Sequence, residues 1–178
     1  MKAAVILAIF ADPPHGVVFV ERAAQLRRHA GQIGLPGGMA DPLDDDDAVA
    51  TALRELGEEL GVDGKRVRVV GRLPALRQES TGLAITPIVG VLDPHTPLTI
   101  DQVETTGAFT IPLSAIVADG AIHEDAAVSV AAGRTIYALD YGDHHVWGLT
   151  ARILKTFADA WNEPDSALRH DVDAALRV

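Results

Sequence analysis

One arginine and three glutamates lie close together in the sequence, at Arg54, Glu55, Glu58 and Glu59. Residues three and four apart are neighbours on a helix, so these three carboxylates converge on one patch if the segment is helical. Mg²⁺ and Mn²⁺ prefer oxygen ligands and bind through a few carboxylates together with substrate phosphates. Arg54 can pair with one acid and hold it in place. The pattern predicts a divalent metal site, and its alternative is a solvated acidic helix face.

The segment around these residues has the periodicity of an amphipathic helix. Val49, Leu53, Leu56 and Leu60 recur at spacings of four, three and four, which predicts one apolar stripe. Aspartates precede this stripe and Gly61 follows it, as is typical of the two ends of a helix. We expect Arg54 and the glutamates to lie opposite the stripe.

Other apolar segments predict the elements that must position this helix. The predicted strands are Ala3–Phe10, Gly16–Glu21, Val67–Leu73, Ala84–Leu92 and Arg134–Tyr141, and the predicted helices are Trp147–Trp161 and Asp165–Val178. Strands interspersed with substantial helices indicate an α/β sandwich. Without an internal repeat or a long linker, we expect one domain over residues 1–178. Trp147 and Trp161 are predicted to pack in the core rather than to stack on a base.

Composition limits the classes of partner. The formal net charge of −10 argues against a nucleic-acid-binding protein, although bound cations allow a polyphosphate substrate. The apolar run Ala3–Phe10 is too short for a membrane span, so no membrane partner is expected. The chain has no cysteine, which fits a reducing compartment, and we expect a cytoplasmic protein. The sequence leaves the oligomeric state open, with a homodimer as one option.

The acidic helix resembles a known family motif. Residues 54–62 match all seven specified positions of the Nudix box, and Leu35-Pro36-Gly37-Gly38 precedes them. The resemblance implies an α/β/α sandwich around a mixed β-sheet and hydrolysis of nucleoside diphosphates linked to another moiety. It also implies that Glu55, Glu58 and Glu59 are metal ligands, with the carbonyl of Gly38 as a further one.

The sequence departs from the box upstream of the helix. The usual box has a glycine fourteen residues before the arginine and a glutamate eight residues before it, where this chain has Ala40 and Asp46. Gly38 lies two residues too early, so the loop before the helix is longer than usual. The role of the aspartates from Asp44 to Asp46 therefore stays open.

A wider set of segments resembles the coenzyme A pyrophosphatase branch of this family. The spacing of its signature is kept by Arg22-Ala23, Arg27, Gly31 and Leu35–Gly38, with Leu35 in place of a phenylalanine. Segments 85–90 and 146–151 are also similar to that branch. The resemblance implies cleavage of coenzyme A or its thioesters to 3′,5′-ADP and a 4′-phosphopantetheine product.

Basic and acidic residues outside the helix complete the predicted site. Arg22, Arg27 and Arg28 form a dense basic cluster suited to phosphate, and together with Gly37 and Gly38 they are the predicted substrate-binding residues. The alternative for the arginines is ordinary surface charge. The candidate general base is Glu104, eight residues before Pro112. It resembles a catalytic or metal-binding glutamate that precedes a Pro-Leu turn in the coenzyme A pyrophosphatase branch. Its alternative is an exposed loop acid.

Two other functions stay open from the sequence. One is hydrolysis of a different nucleoside diphosphate derivative, such as ADP-ribose, by the same chemistry. The other is a non-catalytic domain that binds a nucleotide without cutting it. The intact glutamates argue against the second function, because a binding module has no need of a metal cluster.

Overall fold

A computed structural model describes residues 1–22, 32–78, 81–101 and 105–177. Its centre is a mixed sheet with the strands β1 (Lys2–Phe10), β2 (Gly16–Arg22), β3 (Ile33–Gly34), β4 (Gly37–Met39), β5 (Val67–Arg72), β6 (Leu76–Arg77), β7 (Ala84–Leu92) and β8 (Thr105–Pro112). The order in the sheet is β3-β2-β1-β7-β5, β4 pairs with β1, β6 pairs with β7, and β8 pairs with β2.

Helices and a second sheet cover both faces of the central sheet. The helices of the described residues are α1 (Ala48–Leu60), α2 (Leu113–Ile116), α3 (Ala126–Ala132), α4 (Leu149–Asn162) and α5 (Ala167–Leu176). The second sheet is antiparallel, in the order β11-β10-β9, and consists of β9 (Ile122–Glu124), β10 (Tyr137–Tyr141) and β11 (His144–Trp147). Within these described ranges, no helix has the length and apolar character needed to cross a membrane.

The parallel pair of β1 and β7 is apolar on both faces because both faces are covered. Side chains of a strand point alternately to opposite faces. Ile6 of β1 therefore packs with α1, in a cluster that includes Leu56 and Leu60. Leu7, its neighbour, packs on the other face in a cluster that includes Phe157 of α4. The predicted α/β/α sandwich around a mixed sheet is confirmed.

Helix α1 has well-defined ends. The Asp47 carboxylate accepts a hydrogen bond from the Val49 amide at 3.0 Å and caps the first turn. Gly61 ends the helix with a φ of 66°, a left-handed conformation that glycine adopts without a side-chain clash. The expected aspartate start and glycine stop are both confirmed.

Most of the predicted elements are confirmed, and the exceptions have local causes. The predicted helix Trp147–Trp161 begins instead at Leu149, because Trp147 ends β11 and Gly148 turns the chain with a φ of 69°. The strand predicted from Arg134 begins at Tyr137. Strand β8 was not predicted. Gly107 interrupts the apolar residues of this segment, so its sequence has no clear strand periodicity. The segment is a strand because it pairs with β2.

We predict that Leu56→Ala destabilises the protein by about 2–5 kcal/mol, because it leaves a cavity between α1 and the sheet. Urea unfolding followed by circular dichroism measures this change. The matched control is Leu43→Ala, at a residue that is 88% exposed, which should alter the free energy of unfolding by less than about 0.5 kcal/mol. Equal effects of the two variants would contradict the packing described for α1.

Candidate active site

Strand β4, which contains Gly37 and Gly38, brings its backbone against the acidic helix α1. Strand β4 is antiparallel to β1, with Gly37 opposite Val5 and Gly38 opposite Ala4. Gly37 has a φ of 152°, and a Cβ there would lie 2.6 Å from the Val5 Cα, so only glycine fits. The Gly37 amide donates a hydrogen bond to Glu59 Oε2 at 3.0 Å. The two glycines therefore allow α1 and β4 to approach closely enough for a direct bond.

Glu59 is the most enclosed of the three glutamates, with only 5% of the residue exposed. Besides the Gly37 amide, its carboxylate faces the guanidinium of Arg22, with 4.0 Å between Oε1 and Nη1. The expectation that all three glutamates lie opposite the apolar stripe is wrong for Glu59. It follows Leu56 by three residues, so it shares the buried side of α1, where the glycine strand leaves room for a carboxylate.

Glu55 and Glu58 are progressively more open to solvent. The Glu55 side chain is 16% exposed, and its carboxylate occupies the space that a Cβ on Gly38 would fill. The Glu58 side chain is 59% exposed. Arg54 Nη1 lies 2.9 Å from Glu55 Oε1 and 2.9 Å from Glu58 Oε2. Arg54 was expected to pair with one acid, and it holds both of these.

Arg54 is also anchored to the loop that precedes α1. Its Nε and Nη2 donate to the two carboxylate oxygens of Asp44 at 3.1 and 3.2 Å, and Nη2 donates to the Met39 carbonyl at 2.9 Å. A bidentate guanidinium–carboxylate pair fixes orientation as well as distance. These bonds raise the pKa of Arg54 above its usual value, chiefly through the hydrogen bond to Asp44. The guanidinium therefore keeps its charge.

Asp44 is the site residue whose role the sequence left open. It is buried, and its carboxylate also accepts hydrogen bonds from Thr51 Oγ1 and from the Asp41 amide, both at 2.9 Å. The hydrogen bond from Arg54 is the main reason that the pKa of Asp44 falls to about 2. Asp46 has the sequence spacing of the glutamate in the family motif, but it lies at the surface and pairs with Lys2.

The donor chemistry of this site fits a hard divalent cation. Glu55 lies against Gly38 and Glu59 accepts a hydrogen bond from Gly37, so two carboxylates lie beside the backbone of β4. In the part of the chain that the structure describes, no group of three or more His, Cys, Asp or Glu side chains is arranged to hold a metal ion. Mg²⁺ commonly takes one or two protein carboxylates and completes its coordination with water and substrate phosphates, so the residues present fit such an ion.

A cavity of about 350 Å³ opens beside the glutamate site. Arg22 and Gly37, which both contact Glu59, form part of its wall. Trp147 also lines it and is 39% exposed, so the prediction that Trp147 packs in the core is wrong. This residue lies at the end of β11, before α4 begins. Trp161 does pack as predicted, with its ring centroid 5.7 Å from that of Phe157.

The structure places some of the remaining predicted residues and not others. Arg22 lies at the site, as described above. Arg27, Arg28 and Glu104 lie outside the described residues, so their roles stay predictions. His144 and His145 lie in strand β11.

The two histidines of β11 have different partners. His144 stacks on Phe109 with ring centroids 3.7 Å apart, and His145 Nδ1 lies 2.6 Å from Asp140 Oδ1. The two neighbouring side chains therefore contact different residues.

Comparison with known proteins identifies related sequences. The model of the NUDIX domain matches residues 1–104. The uncharacterized Nudix hydrolase NudL of Photorhabdus laumondii is 38% identical over 156 residues, which cover 88% of this chain and 82% of the relative. NudL of Yersinia pestis strain Pestoides F is 36% identical over 157 residues, covering 88% and 78%.

Solved structures agree in fold. A NUDIX hydrolase from Alicyclobacillus acidocaldarius superposes with a TM-score of 0.54 at 16% identity, covering 99% of this chain and 95% of the other. A MutT/nudix family protein from Enterococcus faecalis gives a TM-score of 0.56 at 12% identity, covering 96% and 66%. Likenesses at this level of identity show the fold alone.

The relatives define the class of protein. The chain is a pyrophosphohydrolase that acts on a nucleoside diphosphate derivative. The chain belongs to the Nudix family. Nudix hydrolases use divalent metal ions, in agreement with the oxygen donors of the site.

We predict that Asp44→Asn lowers stability near neutral pH and that its deficit shrinks in acid. The pKa of Asp44 is lowered to about 2 by folding, so its carboxylate stabilises the native state fully above about pH 4 and loses this effect as the pH falls towards 2. Urea midpoints at pH 6 and pH 2.5 test this. Asp45→Asn, at the exposed neighbour, is the control and should shift the midpoint little. A deficit that is constant with pH would contradict the prediction.

We also predict that Gly38→Ala reduces pyrophosphohydrolase activity at least about tenfold while the protein stays folded. The new Cβ would displace the Glu55 carboxylate, and small misplacements of catalytic groups reduce rates strongly. Steady-state kinetics with a circular-dichroism check measures this. Gly71→Ala, where a Cβ meets open space in β5, is the matched control. Equal activity of the two variants would show that activity does not depend on the position of the Glu55 carboxylate.

Proposed function

We propose that this enzyme hydrolyses the pyrophosphate of coenzyme A or acyl-coenzyme A to 3′,5′-ADP and 4′-phosphopantetheine or its acyl form. The observation that carries the proposal is the arginine-lined cavity beside the glutamate site. Coenzyme A carries a 3′-phosphate in addition to its diphosphate, so it needs more positive charge than a simpler nucleotide. The spacing of Arg22, Arg27, Gly31 and Leu35–Gly38, which resembles the coenzyme A pyrophosphatase branch, supports the same substrate.

We propose Mg²⁺ or Mn²⁺ as the cofactor, held by Glu55, Glu58, Glu59 and the carbonyl of Gly38. A bound divalent cation screens phosphate charge and lowers the pKa of a bound water. The close approach of the Glu55 carboxylate to Gly38, which has no side chain, supports this donor set. All of these donors are oxygen atoms, which are the ligands that Mg²⁺ and Mn²⁺ prefer.

The side chains of the chain itself supply positioning and charge. Arg54 holds Glu55 and Glu58 in place while it is anchored to Asp44. Arg22 faces both the Glu59 carboxylate and the cavity, so it is suited to bind a substrate phosphate. Phosphoryl transfer depends mainly on such positioning and on electrostatic stabilisation. Glu104 remains our candidate for the general base.

We place the enzyme in the cytoplasm, and the absence of cysteine from the sequence supports a reducing compartment. The proposed partner is a small nucleotide substrate rather than a nucleic acid, in keeping with the net charge of −10. The homodimer and the single domain over residues 1–178 remain predictions.

We predict release of 3′,5′-ADP from coenzyme A in the presence of Mg²⁺ or Mn²⁺, with loss of activity on chelation. Glu59→Gln should reduce kcat at least about 100-fold, because it removes a charged ligand from the metal site. Chromatographic product analysis with coenzyme A, dephospho-coenzyme A and ADP-ribose measures the preference. Glu163→Gln, at the exposed end of α4, is the matched control and should retain wild-type kcat.

The outcomes separate the open alternatives. Hydrolysis of ADP-ribose alone would keep the chemistry and reject coenzyme A as the substrate. Nucleotide binding without turnover of any of the three compounds would favour a binding domain. Unchanged kcat in Glu59→Gln would reject the role proposed for this glutamate.

A further inference from the structure

We infer that Arg77, Arg134 and Arg152 form a second anion-binding site, which recognises a substrate phosphate outside the scissile diphosphate. The inference rests on the proposed function for the identity of that phosphate, the 3′-phosphate of coenzyme A. It assigns specificity to three residues that come from separate parts of the sequence. None of them belongs to the glutamate site.

The charge of the cavity wall is the first support. The described residues that line the cavity include four arginines, Arg22, Arg77, Arg134 and Arg152, and no aspartate or glutamate. The whole chain has 25 acidic residues against 15 lysines and arginines, so the cavity has the opposite balance to the protein. An anion bound in this cavity would therefore meet basic side chains rather than carboxylates.

The position of the arginines is the second support. Arg22 marks the end of the cavity next to Glu59, at 4.0 Å from its carboxylate. Arg77 comes from β6, Arg134 from the segment between α3 and β10, and Arg152 from the first turn of α4. Three separate parts of the fold therefore contribute an arginine to the wall of the cavity that Arg22 also lines. A substrate with its diphosphate near Arg22 places a further phosphate within this cavity.

Local structure orients two of these residues. Arg77 Nη1 donates to the Gly82 carbonyl at 3.3 Å, which ties its side chain to the turn before β7. Arg152 lies where α4 begins after Gly148, and Gly148, Leu149 and Thr150 also line the cavity. The first turn of a helix carries partial positive charge and favours anions. The start of α4 and Arg152 therefore both border this cavity.

Aromatic residues indicate what accompanies the phosphate. Trp147 and Tyr137 line the same cavity as the arginines, and Trp147 keeps 39% of its surface exposed. Exposed aromatic rings offer a stacking surface for a base. A wall with aromatic rings and arginines suits a nucleoside that carries a phosphate of its own. Coenzyme A has this feature in its adenosine 3′-phosphate, whereas dephospho-coenzyme A and ADP-ribose lack the 3′-phosphate.

The test compares coenzyme A with dephospho-coenzyme A in matched variants. In the wild-type enzyme we expect kcat/KM for coenzyme A to exceed that for dephospho-coenzyme A by about 10- to 100-fold, as for a lost charged hydrogen bond. Arg152→Gln, Arg134→Gln and Arg77→Gln should each lower this ratio by raising KM for coenzyme A. Their kcat/KM for dephospho-coenzyme A should stay within about threefold of the wild-type value. Arg66→Gln, at an exposed arginine away from the cavity wall, should leave the ratio unchanged.

A binding measurement keeps this inference separate from the proposed function. Calorimetric titration with adenosine 3′,5′-bisphosphate and with AMP needs no turnover. Tighter binding of the bisphosphate to the wild-type protein, lost in Arg152→Gln, supports the second site even if coenzyme A is not hydrolysed. If coenzyme A is hydrolysed but the three variants keep the wild-type ratio, the proposed function stands and the second site is rejected. Equal binding of the two nucleotides to the wild-type protein also rejects it.

Discussion

The pairing of Arg54 with Asp44 is the interaction on which the arrangement of the site depends. A buried carboxylate is costly unless it is paired and hydrogen-bonded, and Asp44 meets this condition through Arg54, Thr51 and the Asp41 amide. The same guanidinium bonds Glu55 and Glu58, so one residue links the loop before α1 to the acidic face of the helix. The conformation of the loop and the positions of the Glu55 and Glu58 side chains therefore depend on the same residue.

The second constraint is the close approach of backbone to helix at Gly37 and Gly38. A side chain at Gly37 would meet β1, and one at Gly38 would displace the Glu55 carboxylate. Because both positions lack a Cβ, β4 lies near enough for its amide to bond Glu59. Glu59 can therefore be buried while still hydrogen-bonded, at the edge of a core formed by residues such as Leu56. The acidic face of α1 and its packing face meet at this residue.

The cavity shows how an acidic protein can offer a basic site. Arginines that are far apart in the sequence line one small space, and the acidic residues of the described chain lie elsewhere. The local potential is set by the nearest charges, because solvent and salt screen the distant ones. A net charge of −10 is therefore compatible with a polyanionic substrate. The dense cluster from Arg22 to Arg28 was predicted from the sequence to bind substrate. Arg77, Arg134 and Arg152 were not predicted, because they are far apart in the sequence.

The sequence by itself determined the elements whose signals are local. Apolar runs predicted β1 and β7 almost to the residue, and spacings of three and four predicted α1 with its glutamates. Only the tertiary structure decided that Asp44, and not Asp46, meets Arg54, because a longer loop breaks the fixed spacing that counting relies on. It also decided the burial of Glu59, the pairing of β8 and the gathering of distant arginines. These features depend on contacts between segments far apart in the chain, and local periodicity carries no information about such contacts.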